Sequence, residues 1–593
     1  MPRRGFMGLA AVGAVATLAL AACGGGSSGS GAGGGGGSSS GPAGFDAAVT
    51  GIVNPSNTKT NGTIYFGNSS TPDSTDPGNT YYAMMWNFSR LYTMPLMTYA
   101  SCSGPCGLKV VPDLATAPGQ VSDNGLTWTY HIKSNVKFED GTPVTSQDVK
   151  YAVERTFDRS VLPLGPAYFP LLLAPQKPAY PGPYKDRSKN IMGLKAVQTP
   201  DAHTIVFHLA KPFADFNYVT AIPQTAPVPP AKDTGVNYQL HPMSTGPYKF
   251  QSYQLNKQLT LVPNTNWNPA TDPNAKQLVS KIVVTMNMNA NDIDNRLLAG
   301  DLNVDMAGTG VQAAARAKIL SSPSLKASSD DPVSGFLWYA YLNTVVPPMN
   351  NVHCRMAIEY AANKTNLQTA YGGPYAGGAI ASTVSPPNIV GHKAFDLYNA
   401  ISKPQGDLAA AKNQLKLCGH PNGFTTGITY RSDRPKEVAA ATALQQALSQ
   451  VGIHTSLHGY PTGTYYANFA GVPKYMHQHD LGIAFGGWAA DWPDGYGFFY
   501  YITDGATIAP TGNYNVSELN DPVVNNLLAK YGTTTDQATR NSYTAQIDMQ
   551  VMKDAAILPE VYAKSLLYRS PRLTNVFVQS YYGMYNYSEL GLK

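Results

Sequence analysis

Leu481–Tyr500, LGIAFGGWAADWPDGYGFFY, joins a short apolar run to a loop crowded with rings. Leu481, Ile483 and Phe485 alternate as in a buried strand. Gly486-Gly487 is expected to break that strand. Trp488, Trp492, Tyr496, Phe498, Phe499 and Tyr500 then surround two carboxylates, Asp491 and Asp494. In open α/β sheets ligands bind beyond the carboxyl ends of strands, in pockets that set a few polar groups among apolar walls. The loop is therefore the candidate ligand contact, with Asp491, Trp488, Trp492, Asp494 and Tyr496 as its residues. The competing reading is an aromatic cluster under a long loop, with both carboxylates in water.

Around this stretch, strands and helices alternate. Leu337–Leu342 reads as a strand and Arg355–Ala362 as a helix. Glu437–Val451 carries an apolar face through Val438, Ala441, Leu444, Leu448 and Val451, and Gly452 ends it. Ile453–Leu457 alternates as a strand. Asp521-Pro522 opens a helix with proline in its first turn, Asp536–Asp554 forms another, and Ile557–Ala563 and Leu566–Tyr568 read as strands. That alternation predicts an α/β lobe.

Toward the N-terminus, Asn61–Gly67 reads as a strand and Ser89–Thr98 as a short helix or loop. Gly125–Lys133, GLTWTYHIK, alternates with period two. In Phe138–Asp158, Asp140-Gly141-Thr142-Pro143 is a turn. Thr145 with Asp148 three residues on is a capping box opening a helix, whose apolar stripe is Val149, Ala152, Val153 and Phe157. Glu154-Arg155 is expected to be its solvated end. Thr204–Leu209 is a strand, Ser244–Trp267 a hairpin reversing at Asn256-Lys257, and Asp292–Asp305 a helix closed by Gly300 with a short strand after it.

The chain has 593 residues, too many for one core. Only 13% of residues are charged and the net charge is +5, and no basic run interleaves with aromatics, so nucleic-acid binding is not indicated. Arg3-Arg4 precede the apolar run Phe6–Ala22, which reads as an export signal; its removal takes two charges and leaves +3. Arg3-Arg4-Gly5-Phe6-Met7 also resembles a twin-arginine signal. Leu20-Ala21-Ala22-Cys23 matches the bacterial lipobox, in which Cys23 is acylated and becomes the new N-terminus. Gly24–Gly41 is a Gly/Ser tether. Within it Gly25–Gly29 fits G-x-S-x-G, but no strand precedes it and no helix follows, so it is not a nucleophile elbow. A body held outside the membrane by acylated Cys23 is the expected localisation. Cys102 and Cys106 flank a Ser-Gly-Pro turn and suit a small disulfide loop, which leaves Cys354 and Cys418 to pair. C-x-x-x-C lacks a second ligand pair at zinc-like spacing.

Val136–Arg155 (VKFEDGTPVTSQDVKYAVER), Ser244–Phe250 (STGPYKF), Asn343–Asn363 and Gly486–Pro493 resemble the extracellular solute-binding proteins of ABC importers, family 5, the dipeptide, oligopeptide and nickel-binding class. Asn363-Lys364 stands where many relatives carry Asp-Arg or Asp-Lys. The resemblance runs from about Asn61 to the C-terminus. It implies a bilobal α/β periplasmic-binding-protein-like fold of type II, two lobes on a two-strand hinge, with an extra subdomain in the first. Residues 1–22 would be signal peptide and 23–45 lipidated cysteine and tether. Residues 46–96, 240–335 and 565–593 would form the core of lobe 1, 97–239 its extra subdomain, and 336–564 lobe 2. In peptide-binding relatives the aspartate three residues after this loop's tryptophan meets the ligand's α-amino group, a role that passes to Asp491 after Trp488, with Trp488 and Trp492 as cleft walls.

The resemblance implies a monomeric binding module, with no cofactor, that closes on a solute, short peptides first, and docks on an ABC permease. The chain has no P-loop. Two other readings remain. A secreted hydrolase would use Asp491 and Asp494, but no positioned partner for them is apparent. A nickel or other metal-chelate carrier would draw on His477-Gln478-His479-Asp480, since imidazole suits nickel, with an exposed polar loop as the simpler account; a sugar-binding protein of the same class is the remaining alternative.

Overall fold

The computed structural model describes residues 44–187, 193–432, 434–461 and 464–593. Cys23, the signal segment and the tether lie outside the described residues.

The predicted hairpin forms as Tyr248–Gln254 and Gln258–Pro263. It turns at Asn256, whose φ of 64° lies in the left-handed region that asparagine tolerates. Its second strand joins Lys281–Thr285, Thr63–Gly67 and Val304–Asp305, in that order, in a five-stranded sheet. The alternation of Gly125–Lys133 forms Thr127–His131, which pairs with Gln120–Ser122 and Thr204–His208 in a four-stranded antiparallel sheet. Thr145 and Asp148 make the predicted capping box at the head of Ser146–Arg155: Asp148 Oδ2 accepts from the Thr145 N–H and hydroxyl, both at 2.8 Å.

A six-stranded mixed sheet orders Gly378–Ile380, Ile557–Lys564, Val333–Leu342, Ile483–Ala489, Thr425–Arg431 and His454–Tyr460. Along Val333–Leu342 the period of two divides the side chains between two cores. Leu337, Tyr339 and Tyr341 enter one, and Ala340 and Leu342 the other. The chain enters this sheet after Ser329–Asp330 and leaves it into Leu567–Tyr568. Those two short strands pair with each other, and Val333 stands opposite Lys564. Two adjacent strands thus carry both crossings.

Four expectations are corrected. Gly486-Gly487 does not break its strand, which runs to Ala489. Both glycines lie beneath rings of Val333–Leu342: a Cβ on Gly487 would stand 2.2 Å from the Trp338 ring, and one on Gly486 2.8 Å from the Tyr341 ring. Close packing, not a turn, requires glycine here. Glu154 and Arg155 are not a solvated helix end, because both are fully buried. Arg155 meets Asp76 with two bonds (3.0 and 2.6 Å) and Asp233 at 3.0 Å, with its guanidinium 4.7 Å from the Tyr238 ring. Ser89–Thr98, expected as a short helix or loop, is turn and loop only as far as Leu96; the helix lies earlier, at Ala83–Ser89, and Met97–Tyr99 is a strand. His477 belongs not to a loop but to a short helix, Pro473–Gln478, opened by its proline.

Candidate functional site

Strand Ile483–Ala489 delivers the aromatic loop, which is tied back on itself. Asp494 caps helix Gly495–Thr503 by accepting from the Gly497 N–H at 2.9 Å. The Asp491 N–H donates to the Gly497 carbonyl at 3.1 Å, and the Trp488 indole N–H to the Phe498 carbonyl at 2.8 Å. This short-range network presents the Asp491 carboxylate to residues from distant parts of the chain.

Asp491 is only 6% exposed. The Tyr81 hydroxyl lies 2.9 Å from both of its carboxylate oxygens, and the Tyr168 hydroxyl donates to Oδ2. Tyr581 donates to its main-chain carbonyl at 2.7 Å. Burial pushes the Asp491 carboxyl up to about 6, against the downward pull of the Tyr168 and Tyr81 hydrogen bonds. Burial and then the Asp491 charge push Tyr81 and Tyr168 well above the ordinary tyrosine range, so both stay protonated donors. Among the described residues no lysine, arginine or histidine pairs with this carboxylate. The reading that left both carboxylates in water is thereby corrected.

Trp488 lines the same region, its ring 5.7 Å from Tyr514 and 6.4 Å from Tyr501. Tyr168 lies 5.8 Å from Tyr501. Trp492 has no exposed surface and joins the core of the body that contains the five-stranded and four-stranded sheets. Its ring is 5.1 Å from Tyr168 and stacks on Tyr218, and its N–H donates to Asp215 at 3.2 Å. Asp494 is held by Arg540 at 2.5 Å, and the same guanidinium nitrogen donates to Asp215. Burial first, and the Asp215 charge second, raise the Asp494 carboxyl well above its usual range. Tyr496 stacks on Tyr500 at 4.9 Å and meets Phe213 edge-on. Asp491 and Asp494 therefore have separate partners, tyrosyl hydroxyls for one and a guanidinium for the other.

His477 pairs with Glu518 at 2.7 Å and His479 lies against the Tyr475 ring. Among the described residues one group of three has metal-ligand proximity, Cys354, Cys418 and His420. The sulfurs of Cys354 and Cys418 are in bonding contact with each other, as are those of Cys102 and Cys106. No helix among the described residues is long and apolar enough to cross a membrane. Sequence reasoning missed Tyr81, Tyr168, Tyr581, Asp215 and Arg540. The one signal pointing toward the hydroxyls was the total of 37 tyrosines.

Residues 109–509 match the family model of the bacterial extracellular solute-binding proteins, family 5. The chain belongs to that family. This solute-binding protein is 28% identical to the probable D,D-dipeptide-binding periplasmic protein DdpA of Escherichia coli (strain K12), over 83% of its own length and 87% of the relative's. It is 24% identical to the periplasmic oligopeptide-binding protein OppA of the same strain, over 77% and 79%. Among solved structures it resembles the clavulanic acid biosynthesis oligopeptide binding protein 2, with TM-score 0.90, 40% identity, and coverage of 93% of this chain and 99% of that one. A periplasmic binding protein DppA from Helicobacter pylori, in complex with the peptide STSA, shares the fold at TM-score 0.66 and 22% identity, over 88% and 98%. The fold is the bilobal α/β type II binding-protein fold, its lobes joined by a two-strand hinge, with an extra subdomain in the first lobe.

Proposed function

We propose that this family 5 solute-binding protein captures short peptides through their free amino group, with Asp491 as the cation partner, and delivers them to an ABC permease. The single observation behind this reading is the Asp491 carboxylate itself, buried, donated to by Tyr81 and Tyr168, and without a cationic side chain among the described residues. A buried carboxylate held only by neutral donors gains most from a ligand ammonium and costs most when left unpaired. The peptide-binding names of several relatives point the same way. Trp488, Tyr501 and Tyr514 supply aromatic walls beside the carboxylate, while Trp492, Asp494 and Tyr496 support the loop.

The protein works by binding and lobe closure alone, without catalysis, as a monomer, with Cys23 acylated outside the cell membrane and both cysteine pairs as disulfides. The boundaries expected for lobe 2, residues 336–564, accord with the crossings that flank Val333–Leu342 and Ile557–Lys564. The test is mass spectrometry of solutes released on denaturing the purified chain. Short peptides with free amino termini are expected. A single solute lacking any cationic group would overturn the assignment of Asp491.

A further inference from the structure

Besides the short-range network that presents Asp491, its loop is gripped by the opposite lobe, and the grip involves none of the atoms assigned to ligand. Trp492, the next residue, leaves its own lobe and is fully buried in the core of the first. The receiving segment is Phe213–Tyr218. The Asp215 carboxylate accepts from the Trp492 N–H at 3.2 Å and from the Arg540 guanidinium, and is 1% exposed. Arg540 holds Asp494 at 2.5 Å through the same nitrogen, so one cation bridges acids from both lobes. The backbones also meet, the Ala214 N–H donating to the Gly532 carbonyl at 2.9 Å.

We propose that Asp215 is a positioning residue of the ligand site, the socket of a latch that closes the lobes before ligand binds. The proposal rests on the reading of Asp491 as the ligand contact. Two donors from the second lobe converge on one buried acid of the first. Separating the lobes breaks both bonds at once and exposes the Trp492 ring. Ligand therefore meets a partly closed population, and closure of the loop on Tyr81 and Tyr168 does not depend on ligand alone. A latch of this kind slows release more than it changes capture.

The test uses Asp215→Asn and, as a milder change, Trp492→Phe, each in the full chain. Small-angle X-ray scattering is recorded without ligand, and tri-alanine association and dissociation rates are measured. Asp215→Asn should enlarge the ligand-free radius of gyration and speed tri-alanine release by about tenfold while association changes less than about twofold. Trp492→Phe should move both readouts in the same direction by less. Ligand-free wild type that scatters as open as Asp215→Asn overturns the latch, as does an unchanged release rate. A variant that only melts earlier, with scattering and release as in wild type, marks a structural role and also overturns it. If tri-alanine binds neither protein, the peptide reading fails and the scattering alone decides the latch.

Discussion

Replacing Asp491 with asparagine separates the charge of this residue from its shape. The carboxyl is 6% exposed and lifted from 3.8 to about 6 by burial. That lift of about two pH units means that holding the ionised form costs about 3 kcal/mol, at about 1.4 kcal/mol per unit. The folded protein keeps its proton to about pH 6 where the unfolded chain releases it near 3.8. Stability therefore falls as pH rises through that window and stays lower above it. Asp491→Asn removes the charge, so at pH 7 the ligand-free variant should be more stable by up to about 3 kcal/mol, and near pH 3, below the unfolded value of 3.8, the difference should vanish. Binding should move the other way. Losing one partner of a buried charge pair costs roughly 2–5 kcal/mol, some 30-fold or more in affinity. Calorimetric titration with tri-alanine and its N-acetyl derivative, alongside thermal unfolding at both pH values, reads both effects. Wild-type affinity in Asp491→Asn, or equal wild-type affinity for the acetylated peptide, would rule out Asp491 as the amine partner. A variant that is less stable at pH 7 would refute the cost assigned to burying its charge.

In wild type, affinity for an amine ligand should rise with pH up to about 6 and then level off, losing about tenfold per unit below that point. Tyr81 and Tyr168, raised out of this range, do not titrate with it, and Asp491→Asn should flatten the profile measured by titration at several pH values. Arg155→Ala strands Asp76 and Asp233 in a dry site. It should lower stability by roughly 3–5 kcal/mol in denaturant unfolding while ligand contacts stay intact. Cys354 and Cys418 are 64 residues apart and Cys102 and Cys106 only 4. Cys354→Ser should therefore cost roughly 4 kcal/mol and Cys102→Ser about half that, compared by non-reducing thermal unfolding, since a longer closed loop restrains the unfolded chain more.

The features read correctly from sequence are those whose causes lie within a few residues. The Thr145–Asp148 capping box, the proline-opened helix Pro522–Thr533, and the reversal at Asn256 each depend on bonds or dihedrals inside one turn. Period two placed the strands because alternation is a property of the backbone itself. Asp491 was proposed among the acids by motif resemblance, not by any local pattern.

Tertiary structure decided what those residues meet. Tyr81 and Tyr168 lie 410 and 323 positions from Asp491, and no spacing rule relates them. Gly486-Gly487 resembles a turn until the Trp338 and Tyr341 rings are packed over it. Arg155 resembles a helix end facing water until Asp76 and Asp233, nearly eighty residues away on either side, close around it. A side chain's environment is set by whichever segments fold against it, and burial, more than identity, determines whether a charge is solvated, paired, or left waiting for a ligand. Local pattern and motif were enough for most of the elements and for the family. Only their packing made Asp491 a dry carboxylate with no cationic partner among the described residues.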